Sequence, residues 1–422
     1  MHGFNEKNGV LYADNVPLPE IADLAGTPSY VYSANAIRAQ YERLSEALRK
    51  AIPADRQPLL CYACKANSNI AILKILEKLG SGLEIVSEGE LFRGLKAGFT
   101  GDRIISTSFG KNESEVKACL DADLGQFNIE APEELESINA CARQMGKTAN
   151  VVFRLNPNVI GGGHSKIATG GKQHKFGNSA EDILTLYARA HEMEHINPQG
   201  VSIHIGSQVS DVVAFKPGFE RLAELVHALR ERGFIVTHLD IGGGFPIIYN
   251  DEKLLDLDDY ARWVAEIIVP LDTRIQMEPG RYMVGNAGLL LTRAQYIKTT
   301  PSKNFLVLDA GMNDLIRPAL YEAYHAIRAA KPRAGTDISY DVVGPICESG
   351  DIFAKEHLMP PVMAGDLVAI CSAGAYGFSM ASNYNSRPLP AEVLVDGDQV
   401  AIIRKRQTLD DLISGEKIPD WL

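Results

Sequence analysis

Eight short apolar, β-rich runs recur through the first two thirds of the chain, each followed by a turn and an amphipathic segment. This alternation constrains the fold more than any single motif, because βα units build parallel sheets. The runs are Leu59–Lys65, Leu83–Val86, Arg103–Ser108, Gln126–Ile129, Val151–Asn156, Val201–Ile205, His238–Ile241 and Arg274–Glu278. The first four end about 22 residues apart, close to the minimum for a strand, a helix and two short loops. Helix starts fall between them. Ser87 and Glu90 form a capping-box pattern before Leu91, and Ala131-Pro132-Glu133-Glu134 places proline and acids in a first turn. Eight successive units predict an α/β fold, a (β/α)8 TIM barrel. A doubly wound open sheet is the competing arrangement at this point, since its mid-sheet reversal of strand order leaves no mark in sequence.

After Glu278 the texture changes. Asn304–Leu308, Ile338–Val343, Leu367–Cys371, Glu392–Val395 and Val400–Arg404 are strand-like, and Asp396-Gly397-Asp398 reads as a hairpin turn. Gly9–Tyr12 and Tyr30–Tyr32 also favour strand. The expectation is a barrel over 33–281 and a β-rich C-terminal domain, 282–422, joined by the N-terminal segment 1–32. A length of 422 residues accommodates both. The net charge of −11 and the lack of a basic run argue against a nucleic-acid or anionic-membrane partner. No apolar stretch approaches the ~20 residues of a membrane span, and the first residues lack a basic-then-apolar pattern, so no signal peptide is expected and the expected location is cytoplasmic. Six scattered cysteines are too few for a disulfide scaffold. Cys61 and Cys64 form a C-x-x-C inside an expected strand, where residues three apart face opposite sides, so reduced structural thiols are favoured over a redox pair or half a metal site, and no metal is expected.

In a parallel barrel the chemistry sits beyond the carboxyl ends of the strands. Lys65 ends the first run; it either snorkels outward or meets an anion or electrophile as a Schiff-base former. The sixth run ends in His204-Ile205-Gly206-Ser207-Gln208, and the seventh in Asp240-Ile241-Gly242-Gly243-Gly244, where bare backbone lets an anion approach closely. The eighth ends in Glu278-Pro279-Gly280-Arg281. Each has an ordinary structural reading: a core histidine, a tight loop, a salt-bridged corner. Together they supply an amine, an anion cradle, a ring neighbour and a carboxylate on one rim. Pyridoxal 5′-phosphate needs that set, because lysine holds it, glycines receive its phosphate and a carboxylate keeps its ring nitrogen protonated.

The chain resembles the fold-type III pyridoxal-phosphate-dependent decarboxylases with an alanine-racemase-like barrel, and among them the diaminopimelate decarboxylase branch. The resemblance runs almost end to end, through Tyr62–Asn69, His204–Gln208, Gly242–Gly244, Glu278–Arg281, Asn313–Tyr321, Cys347–Asp351 and Ala373–Tyr376. It implies that Lys65 and His204 are catalytic, Lys65 as the cofactor-bound lysine and His204 stacked on the ring. It further implies that Ser207, Gly243, Gly244, Gly280, Arg281 and Tyr376 hold the phosphate and that Glu278 pairs with the ring nitrogen. Where Glu278 stands the alanine racemases carry an arginine, so racemisation is disfavoured. Cys347 is implied to come from the partner subunit of a homodimer with shared sites and to return the proton after carbon dioxide leaves, a task suited to a thiol. Arg281, Arg317, Tyr321, Glu348 and Tyr376 are implied substrate contacts.

Two guanidiniums and a phenol suit a distal carboxylate, with charge-assisted bonds worth roughly 1.5–3 kcal/mol each, and Glu348 suits an ammonium. A plain diamine precursor would leave those arginines unpaired. The implied reaction is decarboxylation of meso-2,6-diaminopimelate at its D centre to L-lysine, the last step of lysine biosynthesis. Three alternatives stand beside it: a decarboxylase of another carboxylated amino acid or polyamine precursor, a catalytically silent binding homologue, and a metal- or thiol-dependent enzyme using Cys61 and Cys64. The loop Gly161–Gly171, with Lys175-Phe176-Gly177 after it, is richer in glycine than the family pattern and is expected to order over substrate.

Overall fold

The computed structural model describes residues 3–157 and 176–422, so the expectation for the loop 161–171 and Lys175 lies outside the described residues. The chain divides into two compact units, one of Gln40–Ile247 and Glu252–Met283, the other of Met1–Ala39, Ile248–Asp251 and Val284–Leu422.

The first unit is a closed barrel of eight parallel strands: β1 (Leu59–Ala63), β2 (Gly82–Ile85), β3 (Ile104–Ser106), β4 (Gln126–Ile129), β5 (Ala149–Leu155), β6 (Ile196–Ile203), β7 (His238–Asp240) and β8 (Arg274–Met277). Closure is made by β8 against β1, with Gln276 opposite Leu59 and Met277 opposite Leu60, which excludes the open sheet. Intervening helices begin where the sequence signals them. The helix Pro132–Met145 carries Pro132 at its start and ends on Gly146 in the left-handed region. In Glu88–Ala97, Ser87 Oγ accepts the Glu90 N–H at 3.2 Å, but the Glu90 carboxylate accepts from Val86 N–H at 2.8 Å instead of completing a reciprocal box with Ser87.

All the strands but β4 stop one or two residues short of the carboxyl ends of the runs. β1 stops at Ala63, and Cys64–Ala66 form a 3-10 turn. The turn is tied by Tyr62 Oη donating to the Asn67 carbonyl at 2.9 Å and by Asn69 N–H donating to Asn67 Oδ1 at 3.1 Å. Cys64 therefore lies outside the strand, a correction to the face argument, and Lys65 projects from a turn.

The second unit carries a nine-stranded sheet around Gly288–Thr299, a strand the sequence reading missed because its first five residues are buried without alternation. Ser29–Ser33 pairs antiparallel with Gly288–Thr299 and parallel with Ala391–Asp396, so the N-terminal segment is an interior strand of the C-terminal sheet. The expected hairpin is present, Asp396 facing Gln399 across a turn with Gly397 at φ 62°. Phe4–Lys7, Val10–Ala13 and Val16–Pro17 form a separate three-stranded sheet.

Candidate active site

Each barrel residue singled out from sequence sits just past a strand end, where side chains leave the wall and face one mouth. Lys65 Nζ lies 2.8 and 3.0 Å from the two carboxylate oxygens of Glu84 on β2. The Glu84 side chain is fully buried, and Thr107 Oγ1 past β3 donates to the same carboxylate. A buried carboxylate in an apolar strand must be paired, so Glu84 gives the amine a fixed counter-charge.

At the carboxyl ends of β7 and β8, on the other side of β1 from Glu84, lie Asp240 and Glu278, both buried. Asp240 ends β7; its Oδ1 accepts from Gly242 N–H at 2.9 Å and its Oδ2 from Asn128 Nδ2 at 3.0 Å, Asn128 itself being oriented by Gln126 Nε2 at 2.6 Å. Burial, the neighbouring charges of Asp240 and Glu84, and a hydrogen bond to Asp240 push Glu278 well above the carboxylate range, opposed by Lys65. Asp240 is raised by burial too, but its two donors oppose the shift. Of the two, Glu278 is the carboxyl pushed further toward its protonated form.

His204 Nδ1 is 3.8 Å from Glu278 Oε2. That spacing resembles an ion pair, but burial, then the charges of Arg154 and Lys65, drive the imidazole well below its ordinary value. Gly243 N–H also points at Nδ1, 3.4 Å away, as at an acceptor. The ring is neutral, and the contact is not a salt bridge. Arg154 is pinned by Glu130, 2.5 Å away, and lies over the Phe176 ring.

The glycines are required by contact. A Cβ on Gly243 would lie 2.1 Å from the Glu278 carbonyl oxygen, and one on Gly244, at φ 101°, would lie 2.5 Å from that of Gly206. A Cβ on Gly280 would meet that of Ala63 at 2.8 Å. Gln208, itself at φ 61°, clamps the same loop with its amide, donating to the Ile247 carbonyl at 3.1 Å and accepting Ile247 N–H at 2.8 Å. Beside this cradle Arg281 Nη2 donates to Ser207 Oγ at 3.2 Å.

These residues fit pyridoxal 5′-phosphate. Glu278 Oε1 is buried without a hydrogen-bond partner, the state a ring N–H would complete, and bare backbone with Ser207 and Arg281 suits a phosphate. Cys61 and Cys64 do not join them. Both are buried, and burial pushes both thiols up, away from the thiolate that redox or metal chemistry uses.

The remaining predicted residues belong to the second unit. The parallel pairing of Asn304–Leu308 with Ile338–Val343 delivers the segments 309–317 and 344–351 side by side. Asp351, 4% exposed, staples them, accepting from Met312 N–H and Ile346 N–H, each at 2.7 Å. Cys347 and Glu348 are exposed on that loop, Cys347 N–H donating to Asn385 Oδ1 at 3.1 Å and Glu348 accepting from Tyr384. Arg317 is buried at the start of the short helix Arg317–Tyr321, its guanidinium 4.6 Å from the Tyr249 ring centroid. Tyr321 closes that helix, half-buried. Tyr376 stands at φ 56° in the loop after Leu367–Ile370.

Sequence reasoning passed over Glu84, Asp240, Asn128 and Asp351. A charged residue between apolar neighbours, as in Leu83-Glu84-Ile85 and Leu239-Asp240-Ile241, was the available signal.

Residues 35–285 match the model of the family described as pyridoxal-dependent decarboxylase, pyridoxal binding domain. The chain is 44% identical over 418 residues to diaminopimelate decarboxylase of Pseudomonas aeruginosa, covering 99% of both. Among solved structures, diaminopimelate decarboxylase of M. jannaschii in co-complex with L-lysine superposes with a TM-score of 0.94 at 36% identity, covering 100% of this chain and 99% of that one. The Helicobacter pylori enzyme complexed with L-lysine gives 0.89 at 38% identity, covering 94% and 98%. The cofactor is pyridoxal 5′-phosphate. With a lysine, a buried glutamate and a glycine cradle at the mouth of a matching barrel, the chain belongs to the pyridoxal-dependent decarboxylases, in the diaminopimelate decarboxylase family.

Proposed function

We propose that the protein decarboxylates meso-2,6-diaminopimelate at its D centre, giving L-lysine and carbon dioxide. The observation that carries this reading is near-full-length identity of 44% to an enzyme of that name. When bound, pyridoxal phosphate delocalises the electron pair left on the α-carbon as the bond to the carboxylate breaks.

The chain's own residues have defined tasks. Lys65 Nζ is the attachment point, and Glu84 steadies it as an ammonium when it is detached. Glu278 keeps a proton at the ring nitrogen, with Asp240 behind it. His204 packs on the ring as a neutral imidazole and so adds no competing positive charge. Ser207, Gly243, Gly244, Gly280, Arg281 and Tyr376 hold the phosphate. Arg281, Arg317, Tyr321 and Tyr376 receive the distal carboxylate, and Glu348 the distal ammonium. Cys347 Sγ delivers the proton that replaces carbon dioxide on the α-carbon.

In this reading Cys347 and Glu348 serve the partner's site in a homodimer, and their exposure on a stapled loop suits residues that wait for another chain. Six unpaired thiols suit a reducing cytoplasm. A turnover panel with the cofactor-loaded protein tests the substrate: L-lysine should form from meso-diaminopimelate, while L-ornithine, L-arginine and L-lysine release little carbon dioxide. Release from one of those three with none from meso-diaminopimelate overturns the reading.

A further inference from the structure

We propose that His325 is a positioning residue that sets the in-plane orientation of the Arg317 guanidinium for the substrate's non-reacting carboxylate; this rests on the reading above that Arg317 receives that group.

The partners of His325 assign both of its ring nitrogens. Its side chain is buried, 2% exposed. Nδ1 lies 2.8 Å from the Cys371 carbonyl oxygen, which only accepts, so Nδ1 carries the hydrogen. Nε2 lies 2.9 Å from Arg317 Nη1, which only donates, so Nε2 presents its lone pair. A proton on Nε2 would set donor against donor and charge against charge. The imidazole that fits is the neutral Nδ1–H tautomer.

Arg317 is thereby held in two directions. Its Cζ lies over the Tyr249 ring, 4.6 Å from the centroid, a contact that tolerates rotation within the guanidinium plane. The bond to His325 stops that rotation, and Tyr249 meets His325 edge-on, centroids 5.3 Å apart at 79°. Carboxylate recognition by guanidinium uses two parallel donors in one plane, so in-plane rotation is the motion that degrades it. A carboxylate in place of His325 would hold the same geometry but cancel the charge. A neutral imidazole fixes the fork without itself cancelling the charge.

The backbone holds His325 firmly. Glu322, at φ 53°, ends the helix Arg317–Tyr321 and turns the chain back, so that His325 meets a residue eight positions earlier. The strand Ile327–Ala329, pairing with Leu367–Ile370, and the bond from Cys371 N–H to the Ala326 carbonyl at 2.8 Å lock the chain that follows His325.

The test measures, in the cofactor-loaded protein, the affinity for L-lysine and for 1,5-diaminopentane, the same chain without the carboxylate, together with kcat and KM for meso-diaminopimelate. His325→Phe should weaken L-lysine about tenfold, which is about 1.4 kcal/mol. It should leave 1,5-diaminopentane within about twofold and raise KM more than it lowers kcat. His325→Gln, whose amide oxygen accepts, should recover most of the loss. Unchanged L-lysine affinity in His325→Phe, equal loss of both ligands, or no recovery in His325→Gln overturns the proposal. Should His325→Phe not fold, nitrogen-15 spectra of the wild-type histidines decide: a neutral Nδ1–H ring at His325 with and without L-lysine supports it, and a doubly protonated ring overturns it. Failure of the underlying reading looks different, because Arg317→Met would then bind L-lysine as the wild type does.

Discussion

Glu90 shows how the crowding of acids around the barrel mouth reaches stability. Burial, then the charge of Glu84, pushes its carboxyl up from 4.5 to about 7, although Val86 N–H donates to it. A carboxyl raised on folding contributes stability that is complete below its unfolded value near 4.5 and is lost as pH climbs through about 7. Glu90→Gln keeps an acceptor for Val86 and never ionises. Denaturant titrations should therefore find the variant close to wild type at pH 5 and more stable by roughly 1–3 kcal/mol at pH 8. Equal stability at both pH values would remove the burial argument. The same crowding explains what the sequence left hidden at this scale. Lys65, His204 and Glu278 stand beside glycines and strand ends, where pattern and chemistry coincide. Glu84 and Asn128 sit inside strands and Asp240 ends one, and it is the pairing of neighbouring strands that brings Asp240 against Glu278, and Glu84 against Lys65.

Among elements, all eight barrel runs correspond to strands, because each is apolar with a helix start downstream and all but Leu59–Lys65 carry a β-branched residue. Their ends were read one or two residues too long in most cases, since turn residues such as Cys64 are apolar and continue the run in composition, as Cys371 does after Leu367–Ile370 in the second unit. Gly288–Thr299 was missed for a related reason: buried on both faces over its first half, it shows no period of two. β6 carries a further irregularity, its pairing with β5 shifting between Pro198 and Gly200. A Cβ on Gly200 would lie 1.8 Å from the His238 carbonyl oxygen. Gly200→Ala should therefore open the β6–β7 pairing and cost about 2–4 kcal/mol, measured by denaturant melts. Because β6 leads into His204, cofactor affinity should fall as well; a variant as stable as wild type would show that the strands part without cost.

For the whole molecule, the two-part organisation is visible in sequence as a change from βα alternation to strand after strand, and the matched motifs span both parts. Which segments complete which sheet is not visible, because pairing between Ser29–Ser33 and Ala391–Asp396 joins residues some 360 positions apart and leaves no local signal. The proposed sharing of sites between two chains makes a prediction at this scale. Chains carrying Lys65→Ala and chains carrying Cys347→Ala should each be inactive or nearly so alone. Mixed and reassociated, half of the dimers combine the two, each with one intact site, so about a quarter of wild-type activity should return. No recovery on mixing, with dimers verified by mass, would place Cys347 in its own chain's site.

The strand Ser29–Ser33 also sets the order in which a growing chain can complete itself. It leaves the ribosome before the barrel does, yet one neighbour, Gly288–Thr299, follows more than 250 residues later and the other, Ala391–Asp396, later still. The barrel, whose strands run from Leu59 to Met277, is synthesised entirely in between. During translation at about 5–20 residues per second, this strand waits tens of seconds with both hydrogen-bonding edges unpaired. A message that ends prematurely anywhere before Ala391 leaves at least one of those edges open for good, so truncated products of this gene are marked for aggregation by a segment that was complete from the start.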